Sequence, residues 1–197
     1  MKRLDVQGLE FHPVIRLPAD YEVYDFTQGY DPARSMLSRY GVGKFDEVRV
    51  GMYTSELFQG ERNIHMGIDL AAPAGEPVYA FAAGEVFLFA YNAAEGDYGY
   101  TLITKHVLKD VEVYALHGHL AKRSLDGKVV GQRFPAGEVI AWLGEKHENG
   151  GWNPHLHFQL SLQRPEVCDM PGAVSAAQRA DALRIYPDPR LVLGPLY

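Results

Sequence analysis

Five histidines and one aspartate fall in three short groups along the 197-residue chain. The groups are His65 with Asp69, His117 with His119, and His155 with His157. Imidazole and carboxylate groups bind zinc in catalytic sites, where three protein ligands leave a fourth position for water. The three groups therefore predict a catalytic zinc site.

The spacing of the first group requires a bend in the chain. On a straight strand the Cα atoms of His65 and Asp69 would lie roughly 13 Å apart, too far for two ligands about 2 Å from one metal ion. Gly67 permits the bend. His65, Asp69 and one member of the third pair would complete a three-ligand set. The remaining histidines are suited to accept a proton from the water or to donate a hydrogen bond to the oxyanion.

Short strands must position these groups. From Val48 onward, segments rich in Val, Ile, Phe, Tyr and Thr alternate with Gly, Pro, Asn and Asp, which is typical of antiparallel strands. The predicted strands cover residues 77–81, 85–91, 100–106, 111–119, 138–143 and 155–162. Because side chains alternate along a strand, the two histidines of each later pair are expected on one face. His117 and His119 are thus predicted to face the same cleft.

Composition and charge exclude several other functions. The net charge of −6 is spread along the sequence, without the run of Lys and Arg that phosphate backbones require. No stretch is apolar enough to span a membrane, and Cys168, the one cysteine, cannot form an internal disulfide. Residues 1–20 lack the apolar core of a secretory leader. These features favour the cytoplasm by default, or the periplasm or exterior if a leader has been removed.

Three segments in order carry a family resemblance: HMGIDLAAPAGEPVYAFAAGEV, YALHGHLA and PHLHFQL. Together they resemble the lysostaphin-type, or LytM-like, zinc metallopeptidases, over roughly residues 65–162. The resemblance implies that His65, Asp69 and His157 bind one zinc ion per chain. It also implies that His119 and His155 are the catalytic histidines.

The resemblance further implies a fold and a substrate. Antiparallel sheets would form a groove, in the duplicated hybrid motif of the lysostaphin-type peptidase fold. The expected activity is that of a metalloendopeptidase acting on peptide bonds, most often in peptidoglycan cross-links.

The chain is expected to have three parts. Around the peptidase domain at residues 61–165, we expect an irregular N-terminal extension over 1–60, packed on the core, and a C-terminal helix and tail over 166–197. Short helices are predicted near residues 32–40 and over residues 173–183.

Four further side chains are candidates for contact with the substrate or with the ligands. His117 stands where the family usually has tyrosine, and it either orients a substrate carbonyl or fills that position. His106 ends a predicted strand and could lie near the site, in contact with a ligand. Tyr98 and Trp152 could line the groove or belong to the core. Residues 145–154 replace the small residues usual before the third motif and predict a different groove wall.

Two other classes of function remain open at this point. A catalytically silent binding or regulatory module of the same fold would usually lack ligands, whereas here all are present. A sugar-phosphotransfer domain also uses paired histidines, yet it has no need of Asp69 as a third ligand.

Overall fold

The computed structural model of the chain describes residues 4–31, 39–58 and 60–197, which form mainly strands. The strands are β1 (Glu22–Val23), β2 (Gly41–Gly43), β3 (Ile64–His65), β4 (Ile68–Ala71), β5 (Pro77–Tyr79), β6 (Gly84–Asn92), β7 (Gly99–Leu108), β8 (Val111–Leu120), β9 (Arg133–Phe134), β10 (Val139–Trp142), β11 (His155–Ser161) and β12 (Ala173–Val174). The helices are α1 (Arg179–Ile185) and α2 (Arg190–Leu193), and 3₁₀ turns cover Glu56–Phe58 and Lys122–Leu125.

Among the described residues, eight strands form the main sheet, in the order β1-β2-β4-β11-β8-β7-β6-β9. Its pairs are antiparallel except for the parallel pair β1–β2. β11 lies between β4 and β8, and its register sets His157 opposite Asp69 on one side and Gly118 on the other. The strand order therefore brings segments from all three predicted groups side by side.

Packing of β11 fixes which of its residues face the site. Leu156 and Phe158 are fully buried in the main hydrophobic core. Side chains alternate along a strand, so His155 and His157 point to the opposite face. A register slip of one residue would exchange the two sets and expose the apolar pair to the polar site. Burial of Leu156 and Phe158 thus fixes the orientation of both histidines.

The mainly β, antiparallel fold predicted from the sequence is confirmed. All six predicted strands are present, with ends that differ from the prediction by at most two residues. The C-terminal helix begins later than predicted, at Arg179, because Ala173 and Val174 pair with β3 as strand β12. The helix predicted near residues 32–40 falls largely outside the described residues.

Both flanks of the chain contribute to the core. Leu4, Val14 and Ile15 from the N-terminal side and Val192 from α2 belong to the main cluster of buried apolar side chains. The backbone of β2 also pairs with β4, next to the site. The boundaries of the peptidase domain near residues 60 and 165 therefore stay a prediction from the sequence. In the described ranges, no helix has the length and apolar character needed to cross a membrane.

Candidate metal centre

The chain bends between His65 and Asp69, as the spacing of the pair requires. β3 pairs with β12 in a small sheet, whereas β4 belongs to the main sheet, and Met66 and Gly67 join them. A Cβ atom on Gly67 would lie 2.6 Å from both Cε1 and Nε2 of His157. Glycine is therefore needed at position 67 because the ring of His157 approaches the backbone closely. The reason predicted from the sequence was instead the bend of the chain.

Three ligand atoms meet at one point of the site. His65 Nε2 lies 3.0 Å from His157 Nδ1, and each of these nitrogens lies 3.2 Å from Asp69 Oδ1. Ligands in a tetrahedral zinc site with bonds of about 2.0–2.1 Å lie roughly 3.3 Å from one another. All three side chains are buried. The triangle is the size that a single zinc ion requires.

Hydrogen bonds to the outer ring nitrogens direct the lone pairs inward. His65 Nδ1 donates to the carbonyl oxygen of Lys44 at 2.9 Å, which leaves a lone pair on Nε2. His157 Nε2 lies 3.0 Å from Gln159 Oε1 and 3.4 Å from the Tyr98 hydroxyl, which leaves a lone pair on Nδ1. Two nitrogen lone pairs and a carboxylate oxygen facing one another repel unless a cation lies between them. The donor set therefore fits a zinc ion.

Electrostatics keep His65 and Asp69 in the protonation states that bind metal. Burial and the neighbouring Arg49 guanidinium lower the pKa of His65 to about 4, so its ring is neutral at pH 7. Burial alone would raise the pKa of Asp69, but Arg49 and His65 outweigh it and hold that pKa well below its usual range. Metal binding therefore needs no loss of a proton from either residue at neutral pH.

Two further histidines border the metal position with free nitrogens. His119 Nδ1 donates to the carbonyl oxygen of Asn149 at 2.8 Å, and His155 Nδ1 donates to that of Asn153 at 2.7 Å. Each neutral ring thus keeps a lone pair on Nε2. The rings lie 4.3 Å apart, and His155 Nε2 is 3.8 Å from Asp69 Oδ1. The loop at residues 145–154 therefore fixes both rings through its backbone.

The prediction that His117 faces the same cleft as His119 is wrong. Gly118 and His119 together oppose the single residue Thr101, which makes a β-bulge in β8. His119 has φ of 64°, in the left-handed region, and this conformation turns its side chain to the site face. His117 instead shares the core face with Phe158, with ring centroids 5.4 Å apart.

The other predicted contact residues divide between the core and the groove. His106 does not approach the ligands: its ring packs on Phe81 at 4.2 Å, on the core side of β7. Tyr98 and Trp152 both line the groove, and their rings lie 5.6 and 6.3 Å from that of His119. Tyr98 therefore contacts a predicted ligand, as its hydroxyl reaches His157, whereas His106 is structural.

A groove opens over the candidate metal position. One wall comes from the region before residue 60, and it includes Tyr24, Phe26, Tyr30, Arg49 and Tyr53. Sequence reasoning missed this wall because aromatic residues without a clear period carry no signal of a binding surface. A cavity lined by apolar rings with a few convergent polar groups is the usual form of a ligand site.

Comparison with known proteins identifies the family of the chain. Residues 63–168 match the sequence profile of peptidase family M23, and the chain belongs to that family. The predicted resemblance to lysostaphin-type metallopeptidases is thereby confirmed. The carboxyl and imidazole groups of the candidate centre and the two bordering histidines all lie within the matched residues, whereas Arg49 and Tyr53 lie before them.

Two curated relatives carry names of cell-wall enzymes. The chain is 35% identical over 135 residues to the DD-carboxypeptidase/endopeptidase Mpg of Neisseria meningitidis, covering 61% of this chain and 28% of the relative. It is 30% identical over 130 residues to the peptidoglycan DD-endopeptidase ShyC of Vibrio cholerae, covering 61% and 26%. The matched part thus spans about a quarter of the length of these relatives.

Solved structures with a similar fold include two peptidase catalytic domains. That of EnpA from Enterococcus faecalis is 23% identical, with a TM-score of 0.47 and coverage of 70% of this chain and 89% of the other. That of lysostaphin from Staphylococcus simulans is 22% identical, with a TM-score of 0.44 and coverage of 73% and 92%.

Proposed function

We propose that this chain is a zinc-dependent metalloendopeptidase that hydrolyses peptide bonds in peptidoglycan cross-links. The observation that carries the proposal is the buried triangle of His65 Nε2, His157 Nδ1 and Asp69 Oδ1, with sides of 3.0–3.2 Å. Membership of family M23 supports the reaction class. The names of the relatives from Neisseria and Vibrio support peptidoglycan as the substrate.

The ligands and the two bordering histidines divide the work of hydrolysis. His65, Asp69 and His157 would hold a zinc ion, which when bound would act as a Lewis acid on the scissile carbonyl and make its water more acidic. Burial holds the pKa of His119 well below its ordinary value and also lowers that of His155. Both rings are therefore neutral at pH 7, and each Nε2 is ready to accept a proton.

Proton transfer then changes the role of the ring that accepts the proton. A neutral imidazole that takes the proton of the attacking water becomes a cation with an N–H donor. That donor can stabilise the developing oxyanion or pass its proton to the leaving amine. Because His119 and His155 are fixed by the same loop, with rings 4.3 Å apart, both reach the same reacting group.

The names of other relatives support a compartment different from the cytoplasmic default. The chain is 33% identical over 101 residues to a protein of Escherichia coli named uncharacterized lipoprotein YgeR. Another relative, from Pseudomonas aeruginosa, is named as a homologue of the lipoprotein NlpD/LppB. Since peptidoglycan lies outside the inner membrane, we place the site of action in the cell envelope, the periplasmic or secreted alternative.

Metal content and cell-wall digestion test the proposed function together. We expect about one zinc ion per chain by elemental analysis, lost in His65→Ala and in His157→Ala, because each removes one of three ligands. Incubation with purified peptidoglycan should convert cross-linked muropeptides to uncross-linked ones, as measured by mass spectrometry. His147→Ala is the control, because that side chain is 77% exposed and lies near Glu145 rather than a candidate ligand.

Each outcome of this experiment has a defined meaning. Zinc in the wild type, its loss in both ligand variants and cleavage by the wild type alone support the proposal. Zinc without cleavage would favour a silent binding module of the same fold. A wild-type protein that takes up no zinc, even when zinc is supplied, would refute the metallopeptidase.

A further inference from the structure

An arginine from outside the family-matched residues contacts the candidate zinc ligand Asp69. Arg49 Nη1 lies 2.6 Å from Asp69 Oδ2. The arginine side chain is only 2% exposed, and the carboxylate is 7% exposed. Burial of a guanidinium at such a position is costly unless its charge is paired. Arg49 therefore has a role at the centre that the M23 match, which begins at residue 63, does not include.

Further contacts hold the guanidinium of Arg49 in one place. Its Nε lies 3.4 Å from Glu47 Oε2, and its Nη1 lies 3.0 Å from the hydroxyl of Tyr53. The guanidinium also lies over the ring of Phe26, 5.0 Å from its centroid. An arginine fixed on several sides can in turn fix the carboxylate that it contacts.

The ion pair decides which oxygen of Asp69 faces the metal position. Oδ2 is occupied by Arg49, and Oδ1 lies 3.2 Å from both His65 Nε2 and His157 Nδ1. With Oδ2 engaged, Asp69 can offer only one oxygen to a metal ion. The guanidinium also adds a positive charge beside a centre whose ligands contribute one negative charge.

The same segment of chain supports a second ligand. The Lys44 carbonyl accepts the Nδ1–H of His65, and the backbone amide of His65 donates to the Glu47 carbonyl at 3.0 Å. Val48 forms an isolated antiparallel bridge with Ile64. Residues 44–49 thus contact both His65 and Asp69, and Arg49 is the charged group among these contacts that reaches a ligand side chain.

We propose that Arg49 is a positioning residue of the zinc centre. It restricts Asp69 to coordination through one oxygen and raises the affinity of the open position for anions. This inference rests on the proposed function. Direct binding of a substrate carboxylate by Arg49 does not fit, because its side chain is 2% exposed and already lies against Asp69 and Glu47.

Cobalt substitution gives a readout that does not depend on turnover. Co²⁺ replaces zinc with a similar geometry, and its visible absorption weakens as coordination rises above four. In Arg49→Gln all three ligands remain, so one Co²⁺ should still bind. Its visible bands should weaken because the freed Asp69 can coordinate through both oxygens. Loss of one positive charge should weaken azide binding to the Co²⁺ protein on the order of tenfold.

A second ion pair in the same segment supplies the matched control. Arg179 pairs with Asp46, which lies between Lys44 and Arg49 in sequence, and within the described residues it has no ion pair or side-chain hydrogen bond with a candidate ligand. Arg179→Gln should leave the Co²⁺ spectrum and azide affinity unchanged. A shift in both variants would show that any loosening of the segment matters, and it would contradict a specific role for Arg49.

The remaining outcomes separate this inference from the proposed function. A wild type that binds no Co²⁺ contradicts the proposed function. A wild type that binds Co²⁺, together with Arg49→Gln of identical spectrum and azide affinity, contradicts the role of Arg49 alone. If Arg49→Gln does not fold, Arg49→Lys decides. Lysine keeps the charge but cannot contact Asp69 and Glu47 at the same time. The Co²⁺ spectrum of Arg49→Lys should therefore shift, and an unchanged spectrum overturns the inference.

Discussion

His119 and His155 differ from His65 and His157 in what their second ring nitrogens face. Their Nδ1 atoms donate to the carbonyls of Asn149 and Asn153, and their Nε2 atoms are free to act on substrate. His65 and His157 instead direct lone pairs at each other across 3.0 Å. Histidines with similar backbone hydrogen bonds are thus proposed to have distinct roles, because the second nitrogens of His65 and His157 face each other at the metal position.

This distinction predicts that metal binding and turnover can be separated by substitution. His119→Gln and His155→Gln should each retain about one zinc per chain, because neither is in the ligand triangle. Each should reduce the rate of peptide hydrolysis on the order of 10²–10⁴-fold, as loss of a general acid or base does. Zinc content and the hydrolysis rate are measured on the same preparations.

The exposed His147 gives the control for this prediction, with His147→Gln expected to keep both zinc and rate. A His119→Gln protein with full turnover would show that His119 has no catalytic role. Loss of zinc from His119→Gln or His155→Gln would instead mean that the ligand set is wrong.

Single residues were predictable from the sequence where their type and spacing are unusual. Paired histidines and an aspartate at short intervals indicated His65, Asp69 and one member of the third pair as ligands, and the family resemblance implied His157. Arg49 gave no such signal, since Glu47 and Arg49 alternate with two valines as in an ordinary surface strand. The structure inverts that pattern: Val48 and Val50 are 44% and 48% exposed, whereas Glu47 and Arg49 are buried. Pairing with Asp69 accounts for the inversion.

At the scale of elements, the connection between β3 and β4 sets the position of a ligand on a third strand. A side chain on Gly67 would meet the ring of His157 and, at 2.9 Å, the carbonyl oxygen of Phe158. Gly67→Ala should therefore displace His157 and lower zinc affinity on the order of 10–100-fold, the range seen when support of a ligand is lost. Competition with a chromophoric chelator measures the affinity.

An equally tight glycine elsewhere in the sheet provides the comparison. A Cβ on Gly84 would lie 2.6 Å from His106 Nδ1 and from the Lys105 carbonyl oxygen, away from the ligands. Gly84→Ala should lower the free energy of unfolding by about 1–3 kcal/mol through overpacking, with zinc affinity unchanged. Equal zinc affinity in Gly67→Ala and the wild type would show that His157 adapts to the added methyl group.

Strand alternation predicted the two faces of β11 but failed on β8. Leu156 and Phe158 on β11 are buried and their neighbours face the site, as the pattern requires. On β8 the bulge at Gly118 and His119 reverses the alternation after His117. A bulge depends on the partner strand as well as on local residues, so the HGH sequence alone did not reveal it.

At the scale of the whole molecule, the positions of the strands along the sequence were predictable, but the order of the strands in the sheet was not. Each strand has its own pattern of apolar residues and turn residues, but order in a sheet depends on long-range pairing. The contribution of Val14 and Ile15 to the main core illustrates this limit, because the first sixty residues lack a clear period. The groove wall that they help to support was missed for the same reason.

Two histidines in the core make the stability of the whole molecule sensitive to acid. Burial lowers the pKa of His106 to about 4, and burial together with His106 lowers that of His117 to about 3. In the unfolded chain both have pKa values of about 6.5. The unfolded state therefore binds more protons below pH 6.5, so the free energy of unfolding falls as pH falls from 6.5 toward 4, by about 1.4 kcal/mol per pH unit for each group.

Removal of one of these groups should make the pH dependence less steep. In His117→Leu, the slope of the free energy of unfolding against pH should decrease by about 1.4 kcal/mol per unit between pH 6 and pH 4.5, because one proton-binding site of the unfolded chain is gone. Urea unfolding with a chelator present measures the slope, since the remaining titrating groups, the metal ligands included, are then common to both proteins. Parallel curves of unfolding free energy against pH for His117→Leu and the wild type would mean that His117 is protonated in the folded protein. That result would contradict the inference that His117 is neutral in the core.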